Sequence, residues 1–150
     1  MATTEQDGFV FVDFGHYKGR RKAKAREAIV VNNLDSNDYR ITFNQEVTES
    51  LAQKQLKFIS IREDRITGQI WFYFSNDPNK LSVRMPKAGN AVVTCKQLVH
   101  YIADFMGWKK GEAFRERIAI SGDLSKDDTI ALFAIEPPKN DPTPRTNLFD

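Results

Sequence analysis

Residues Leu56 to Asp64, LKFISIRED, and Ile66 to Asn76, ITGQIWFYFSN, carry the clearest fold signal in this chain. Both segments are rich in β-branched and aromatic residues, which favour strands. The second segment begins with a turn that contains the pair Thr67-Gly68, and its glycine supplies the backbone freedom that a tight connection needs. The two segments therefore predict a β-hairpin.

The second arm of this hairpin is apolar on both faces. Successive side chains of a strand point to opposite faces, so the arm divides into two sets, Ile70, Phe72 and Phe74 against Trp71 and Tyr73. We expect this strand to lie centrally in a sheet, or to have its second face covered by a helix. If the face with Trp71 and Tyr73 is open instead, these rings and Arg84 are candidates for stacking on nucleic acid.

Further short segments with strand character lie on both sides of the hairpin. They are residues 9–14, 28–31, 39–43, 81–85, 91–93, 117–123 and 129–136. The last two flank the turn sequence LSKDD and predict a second hairpin. Because the strands do not alternate with crossover helices, the pattern predicts an α+β fold with a mostly antiparallel, twisted sheet.

One main helix is predicted at about 94–107, packed on one face of the sheet. Thr94 and Gln97 have the spacing of a capping box, and Gly107 stands where a helix normally ends. We expect Trp108 to pack back on the same core. A shorter helix, EVTESLAQK, is expected after Asn44, and one more helical turn is expected within 109–115.

The composition changes at Pro137. The segment PPKNDPTPRTNLFD holds four prolines in fourteen residues, so we expect residues 1–136 to form a single α+β domain and 137–150 a flexible tail. Leu148 and Phe149 are its candidate partner-binding residues. The last three residues resemble the partner-recruiting tips of bacterial single-stranded-DNA-binding proteins, and the Leu-Phe pair is similar to sliding-clamp peptides. The chain lacks the acidic run of the first and the leading glutamine of the second.

Size and composition predict a soluble, cytoplasmic protein with no membrane partner. The chain has 150 residues, 41% hydrophobic and 28% charged, which is ordinary for one globular domain. The single cysteine, Cys95, excludes an internal disulfide and fits a reducing compartment. No basic segment followed by an apolar stretch marks an N-terminal signal, and no apolar run approaches the roughly 20 residues that cross a bilayer.

A dense basic run, HYKGRRKAKAR, occupies residues 16–26 and holds no acidic residue. Its cations are Lys18, Arg20, Arg21, Lys22, Lys24 and Arg26. The whole chain has 22 basic and 20 acidic residues, so without these six it has 16 and 20, a balance of −4. Positive charge is thus local to a projecting basic arm, which predicts contact with the phosphates of DNA or RNA, with Tyr17 available for stacking.

Two other interpretations of the basic arm stay open. In the first, the arm is a solvated loop without a specific partner. In the second, it is a docking site for an acidic protein. A hypothesis from a different functional class takes the whole chain as a structural or protein-interaction module, such as an assembly component of a phage or cellular complex. Such a module would use its sheet edges and the Leu148-Phe149 tip. The oligomeric state is left open.

The sequence predicts no catalytic residue, no metal site and no cofactor, and hence no enzyme. His16, His100 and Cys95 lack the paired spacing of metal ligands, and no phosphate-binding glycine loop occurs. His100 precedes Asp104 by four residues, which predicts a contact on the surface of the helix. Aspartates around the second hairpin turn, Asp123, Asp127 and Asp128, are expected to accept local backbone hydrogen bonds.

Overall fold

The computed structural model describes residues 25–138 and two short strands before them, β1 (Glu5–Gln6) and β2 (Phe9–Val10). These two strands pair with each other in an antiparallel arrangement. Of the strand predicted over 9–14, residues 11–14 lie outside the described part of the chain. The tail predicted over 137–150 is described only at Pro137 and Pro138.

The body is built on an eight-stranded sheet. Its strands are β3 (Glu27–Asn33), β4 (Asp38–Phe43), β5 (Phe58–Glu63), β6 (Ile70–Ser75), β7 (Leu81–Ser82), β8 (Val92–Thr94), β9 (Phe114–Asp123) and β10 (Ala131–Ile135). Their order across the sheet is β7-β5-β6-β10-β9-β3-β4-β8, and every named pair is antiparallel. The mostly antiparallel α+β architecture is confirmed.

The sheet curls until its two edges meet. Beyond β7, Arg84 pairs with Val92 of β8, and their backbones exchange hydrogen bonds of 2.8 and 3.0 Å. Phe43 of β4 reaches across the interior, with its ring centroid 5.1 Å from that of Phe72 and 5.3 Å from that of Phe74 on β6. A twisted sheet was expected, and the structure has a nearly closed barrel filled by phenylalanine rings.

The hairpin that opened the sequence analysis forms as predicted. Strands β5 and β6 pair from Phe58–Ser75 to Glu63–Ile70, and β6 lies between β5 and β10, which confirms its central position. Gly68 has φ +81°, and its N–H donates to the carbonyl of Asp64 at 2.7 Å. Glycine adopts this backbone region without the steric cost that a side chain would bring.

In the part of the chain that the structure describes, two helices of similar length accompany the sheet, so the expectation of one main helix is corrected. Helix α1 (Gln45–Lys54) begins after its cap Asn44, whose side chain accepts from the Val47 N–H at 3.4 Å. Helix α2 (Lys96–Met106) packs against β3 and β4. Their buried residues join the sheet in one hydrophobic cluster. In the described part of the chain, neither helix has the length and apolar character that spanning a membrane requires.

The start of α2 differs from the prediction. Thr94 is not a capping residue, because it pairs with Arg40 as the last residue of β8. Cys95 is the N-cap and makes no side-chain capping hydrogen bond. The end is as predicted, since Gly107 has φ +81° and the N–H of Trp108 returns to the Ala103 carbonyl at 2.8 Å.

The helical turn expected within 109–115 is replaced by a strand at the end of that segment. A turn closes from Lys109 to Glu112, but β9 has already begun at Phe114 and pairs there with Asn32 of β3. The strand continues through Arg115, Glu116 and Arg117, which carry no alternating apolar pattern. Pairing with β3, far away in sequence, therefore decides the conformation of this segment.

The first half of β9 has a ladder partner on one side only. The N–H of Glu136 donates to the Ala119 carbonyl at 3.1 Å. In an antiparallel ladder the next donor toward β9 would come two residues later, from position 138. Pro138 has no N–H, so the ladder ends. Within the described residues, Phe114 to Ile118 therefore keep an open backbone edge opposite β3.

Candidate nucleic-acid interface

Most of the predicted contact residues lie outside the described part of the chain. These are the basic-arm residues Tyr17, Lys18, Arg20, Arg21, Lys22 and Lys24, and the tail residues Leu148 and Phe149. Their roles stay predictions. Of the predicted arm and tail residues, Arg26 is the one that the structure describes.

Arg26 lies half-buried at the point where the basic arm joins the barrel. Its carbonyl accepts from the Ile120 N–H at 3.1 Å. Its guanidinium lies against Gly122, where an added side-chain carbon would sit 3.5 Å from Cζ. The Nε atom is buried and has no hydrogen-bond partner among the described residues. Arg26 thus anchors the end of the basic arm on β9.

Asn44 fixes the same junction from the other side. Its Nδ2 donates to the Ala25 carbonyl at 2.7 Å, and its backbone N–H donates to the Glu27 carbonyl at 3.0 Å. The same side chain caps α1 through Val47. The end of the basic arm is consequently held by Asn44, between β4 and α1, and by Ile120 of β9.

The outer face of the barrel, opposite the one that carries Phe43 and Phe72, is rich in arginine. Strand alternation places these residues there: Arg40, Arg62, Arg84, Arg115 and Arg117. Two carboxylates on this face pair with them, Asp38 with Arg40 at 2.6 Å and Glu27 with Arg117 at 3.0 Å. On this face the five arginines therefore outnumber the two carboxylates that pair with them.

Trp71 and Tyr73 project from β6 onto this outer face and are half-buried, whereas Phe72 and Phe74, which alternate with them along the strand, are fully buried. The Arg62 guanidinium lies 5.8 Å from the centroid of the Trp71 ring, in cation–π geometry. Within 25–138, α2 packs on β3 and β4, and α1 on β4 and β10. The helix cover considered for this strand is not found among the described elements.

Tyr101 joins α2 to the end of β5 through a polar contact. Its hydroxyl donates a short hydrogen bond to Glu63, which also contacts Arg65 at 3.3 Å. Burial, together with the hydrogen bond to Glu63, raises the pKa of Tyr101 to about 12. The bond from Tyr101, and then Arg65, lowers the pKa of the Glu63 carboxyl. No local sequence pattern marks this contact, because the two residues lie 38 positions apart.

His100 makes a different contact from the one predicted. It is half-buried, its Nε2 lies 3.1 Å from Oδ1 of Asn32, and its ring meets Tyr39 edge-on. Asp104 contacts Lys110 instead, at 3.0 Å. Asn32 is fully buried and donates to the carbonyls of Lys110 and Glu112. The histidine therefore serves a structural network.

Two aspartates of the second hairpin turn, Asp123 and Asp127, accept local hydrogen bonds as predicted, whereas no such bond to Asp128 is found among the described residues. Oδ1 of Asp123 accepts from the N–H groups of Ser125 and Leu132, and Asp127 accepts from Thr129. These bonds from the Thr129 hydroxyl and N–H lower the pKa of Asp127. Lys54 at the end of α1 adds an ion pair to Asp123 at 2.6 Å.

In the described residues, no three His, Cys, Asp or Glu side chains come together as a metal-binding group. Cys95 is half-buried at the start of α2, with no capping bond from its side chain. No protein-family model matches the chain, and neither a curated protein nor a solved structure matches it. The functional interpretation accordingly rests on the chain's own residues.

Proposed function

We propose that this protein is a small, non-catalytic nucleic-acid-binding accessory protein that contacts phosphates through its basic arm. One observation carries the proposal: residues 18–26 hold six cations and no acid, in a chain whose remainder has an excess of carboxylates. Neutralising phosphates releases their condensed counterions, which favours binding without reading sequence.

The junction at Arg26 supports this function physically. Asn44 and Ile120 hold the backbone at Ala25 to Glu27, so cations just before it are tethered to a rigid barrel. Arginines on the outer face add a field of the same sign. A polyanion drawn to the arm therefore meets a surface that does not repel it.

Retention on immobilised DNA at physiological salt tests the proposal. A variant with Arg20→Gln, Arg21→Gln, Lys22→Gln and Lys24→Gln removes four charges from the arm. The matched control removes four exposed lysines from the body, with Lys57→Gln, Lys87→Gln, Lys109→Gln and Lys126→Gln. Loss of retention in the first variant and not in the second is expected. Equal retention of both variants contradicts the proposal.

The second candidate function is a protein-interaction module, and the open edge of β9 favours it. Within the described residues, the first half of β9 has a ladder partner only in β3 and offers one open stretch of backbone edge. An extended segment of a partner can add to such an edge by backbone hydrogen bonds. This function predicts a defined complex in light scattering that survives high salt, and a monomer under those conditions contradicts it.

A further inference from the structure

We propose that the outer face of β5, β6 and β10 binds the unstacked bases of single-stranded nucleic acid, with Trp71 and Tyr73 as stacking platforms. This inference rests on the proposed function and adds the class of ligand. The register places Trp71 between Arg62 and Ala134, and Tyr73 between Ser60 and Leu132. The two rings thus stand in a row near the middle of the sheet.

The geometry of a strand suits successive bases. Side chains two residues apart on one face are separated by about 6.7 Å along the strand, since each residue rises about 3.3–3.4 Å. Trp71 and Tyr73 are such a pair, and Phe72 between them points into the core. Two rings at this spacing offer separate surfaces to two neighbouring bases. Every base has a π face, so such stacking tolerates any sequence.

Cations flank the rings where phosphates would lie. Arg62 stands over Trp71 at 5.8 Å, and a guanidinium plane itself stacks on bases. Arg62 and Lys80 line a groove beside Tyr73. Asp77, which lines the same groove, accepts a hydrogen bond from the Asn79 N–H at 3.0 Å. This combination of rings and cations fits a nucleic acid better than an apolar peptide.

A single strand fits this face better than a duplex does. In a duplex the base faces are stacked on one another and cannot reach a protein ring, whereas an unpaired strand exposes them. The basic arm, by contrast, contacts phosphates that both forms carry. The stacking face and the basic arm together therefore predict that the protein prefers single strands to duplexes. The arm alone predicts no preference between the two forms.

The test uses the full chain, a 15-nucleotide dT oligomer and a 15-base-pair duplex. The chain has two tryptophans, Trp71 and Trp108, so Trp108→Phe leaves Trp71 as the single tryptophan reporter. We expect dT to quench its fluorescence. In the converse variant, Trp71→Phe, Trp108 packs on Phe114 with ring centroids 5.1 Å apart, and no quenching is expected.

Affinity gives a second readout. Trp71→Leu should weaken dT binding about tenfold and leave duplex binding unchanged, as expected for losing one stacked base. The quenching measurement uses conservative variants, so it stays decisive if Trp71→Leu does not fold.

The outcomes separate this inference from the proposed function. One result would overturn only the stacking face: dT and duplex bind equally, and dT does not quench the fluorescence of Trp71. If neutralising the arm abolishes binding in that case, the proposed function stands. If wild-type protein binds neither oligomer, both are wrong. Binding of a protein partner that Trp71→Leu abolishes, without any dT binding, assigns the face to that partner and also overturns the inference.

Discussion

At the scale of single residues, long-range polar contacts hold this fold together. Asn32 joins β3 to α2 and to the loop before β9, through partners 68 to 80 residues away in sequence. No local pattern marks such a residue, which is why His100 was expected on the helix surface. Asp123 and Asp127 were predicted correctly because their partners lie within the same hairpin.

Asn32→Ala tests this network. The substitution removes the buried amide that partners the Lys110 and Glu112 carbonyls and the His100 ring, so three hydrogen bonds are lost together. We expect the free energy of unfolding in urea to fall by about 2–4 kcal/mol. The exposed Asn90→Ala serves as control, with a change within about 0.5 kcal/mol. Equal effects of both substitutions would contradict the network.

The contact between Tyr101 and Glu63 predicts a pH window. Folding raises the pKa of Tyr101 to about 12, so the contribution of its neutral hydroxyl is complete below about pH 10 and disappears as the pH rises through 12. Folding lowers the pKa of Glu63, so the contribution of its carboxylate disappears as the pH falls through that lowered value.

Unfolding of wild type and Tyr101→Phe across pH measures this contribution. We expect the stability difference between the two proteins to be constant near neutrality and to shrink above pH 10. A difference that stays constant up to pH 12 would show that the hydrogen bond does not shift the titration of Tyr101.

At the scale of elements, local sequence patterns predicted the two hairpins. Pairing between strands distant in sequence decided the structure at Thr94 and at residues 115–117. Strands β5 and β6 pair across the turn that contains Gly68, and α2 ends at Gly107 as expected. The capping-box prediction failed because Thr94 pairs with Arg40 in the sheet. The charged triplet at 115–117 became a strand because β3 lies beside it.

The end of α1 is fastened to the β9–β10 hairpin by one side chain. Nζ of Lys54 contacts the Asp123 carboxylate at 2.6 Å and donates to the carbonyls of Ser125, Asp127 and Ile130. The side chains of Lys54 and Asp123 are each 16% exposed, so the pair is largely shielded from water.

Lys54→Met keeps the length of the side chain and removes its charge. We expect a loss of about 2–3 kcal/mol in the free energy of unfolding, because hydrogen bonds to charged groups contribute more than neutral ones. Lys126→Met, an exposed position in the same hairpin, is the matched control and should change little. A wild-type urea midpoint in Lys54→Met would contradict the role of this contact.

At the scale of the whole molecule, closure of the barrel was not predictable from sequence. It depends on two hydrogen bonds between Arg84 and Val92, at opposite edges of the strand order. Closure buries the inner face of the sheet in the hydrophobic core, so the outer face is the one that faces outward. The basic arm joins this barrel at Arg26, and the arginines of the outer face carry charge of the same sign.

The salt dependence of DNA binding tests the central claim most directly. Binding constants for wild type and for the variant neutralised at Arg20, Arg21, Lys22 and Lys24 are measured from low to physiological salt. Each phosphate contact contributes about 0.9 to the slope of log Kobs against log salt on duplex DNA. If all four cations bind phosphates, the slope should fall by about 3–4 in the variant. Parallel lines for the two proteins would contradict the account.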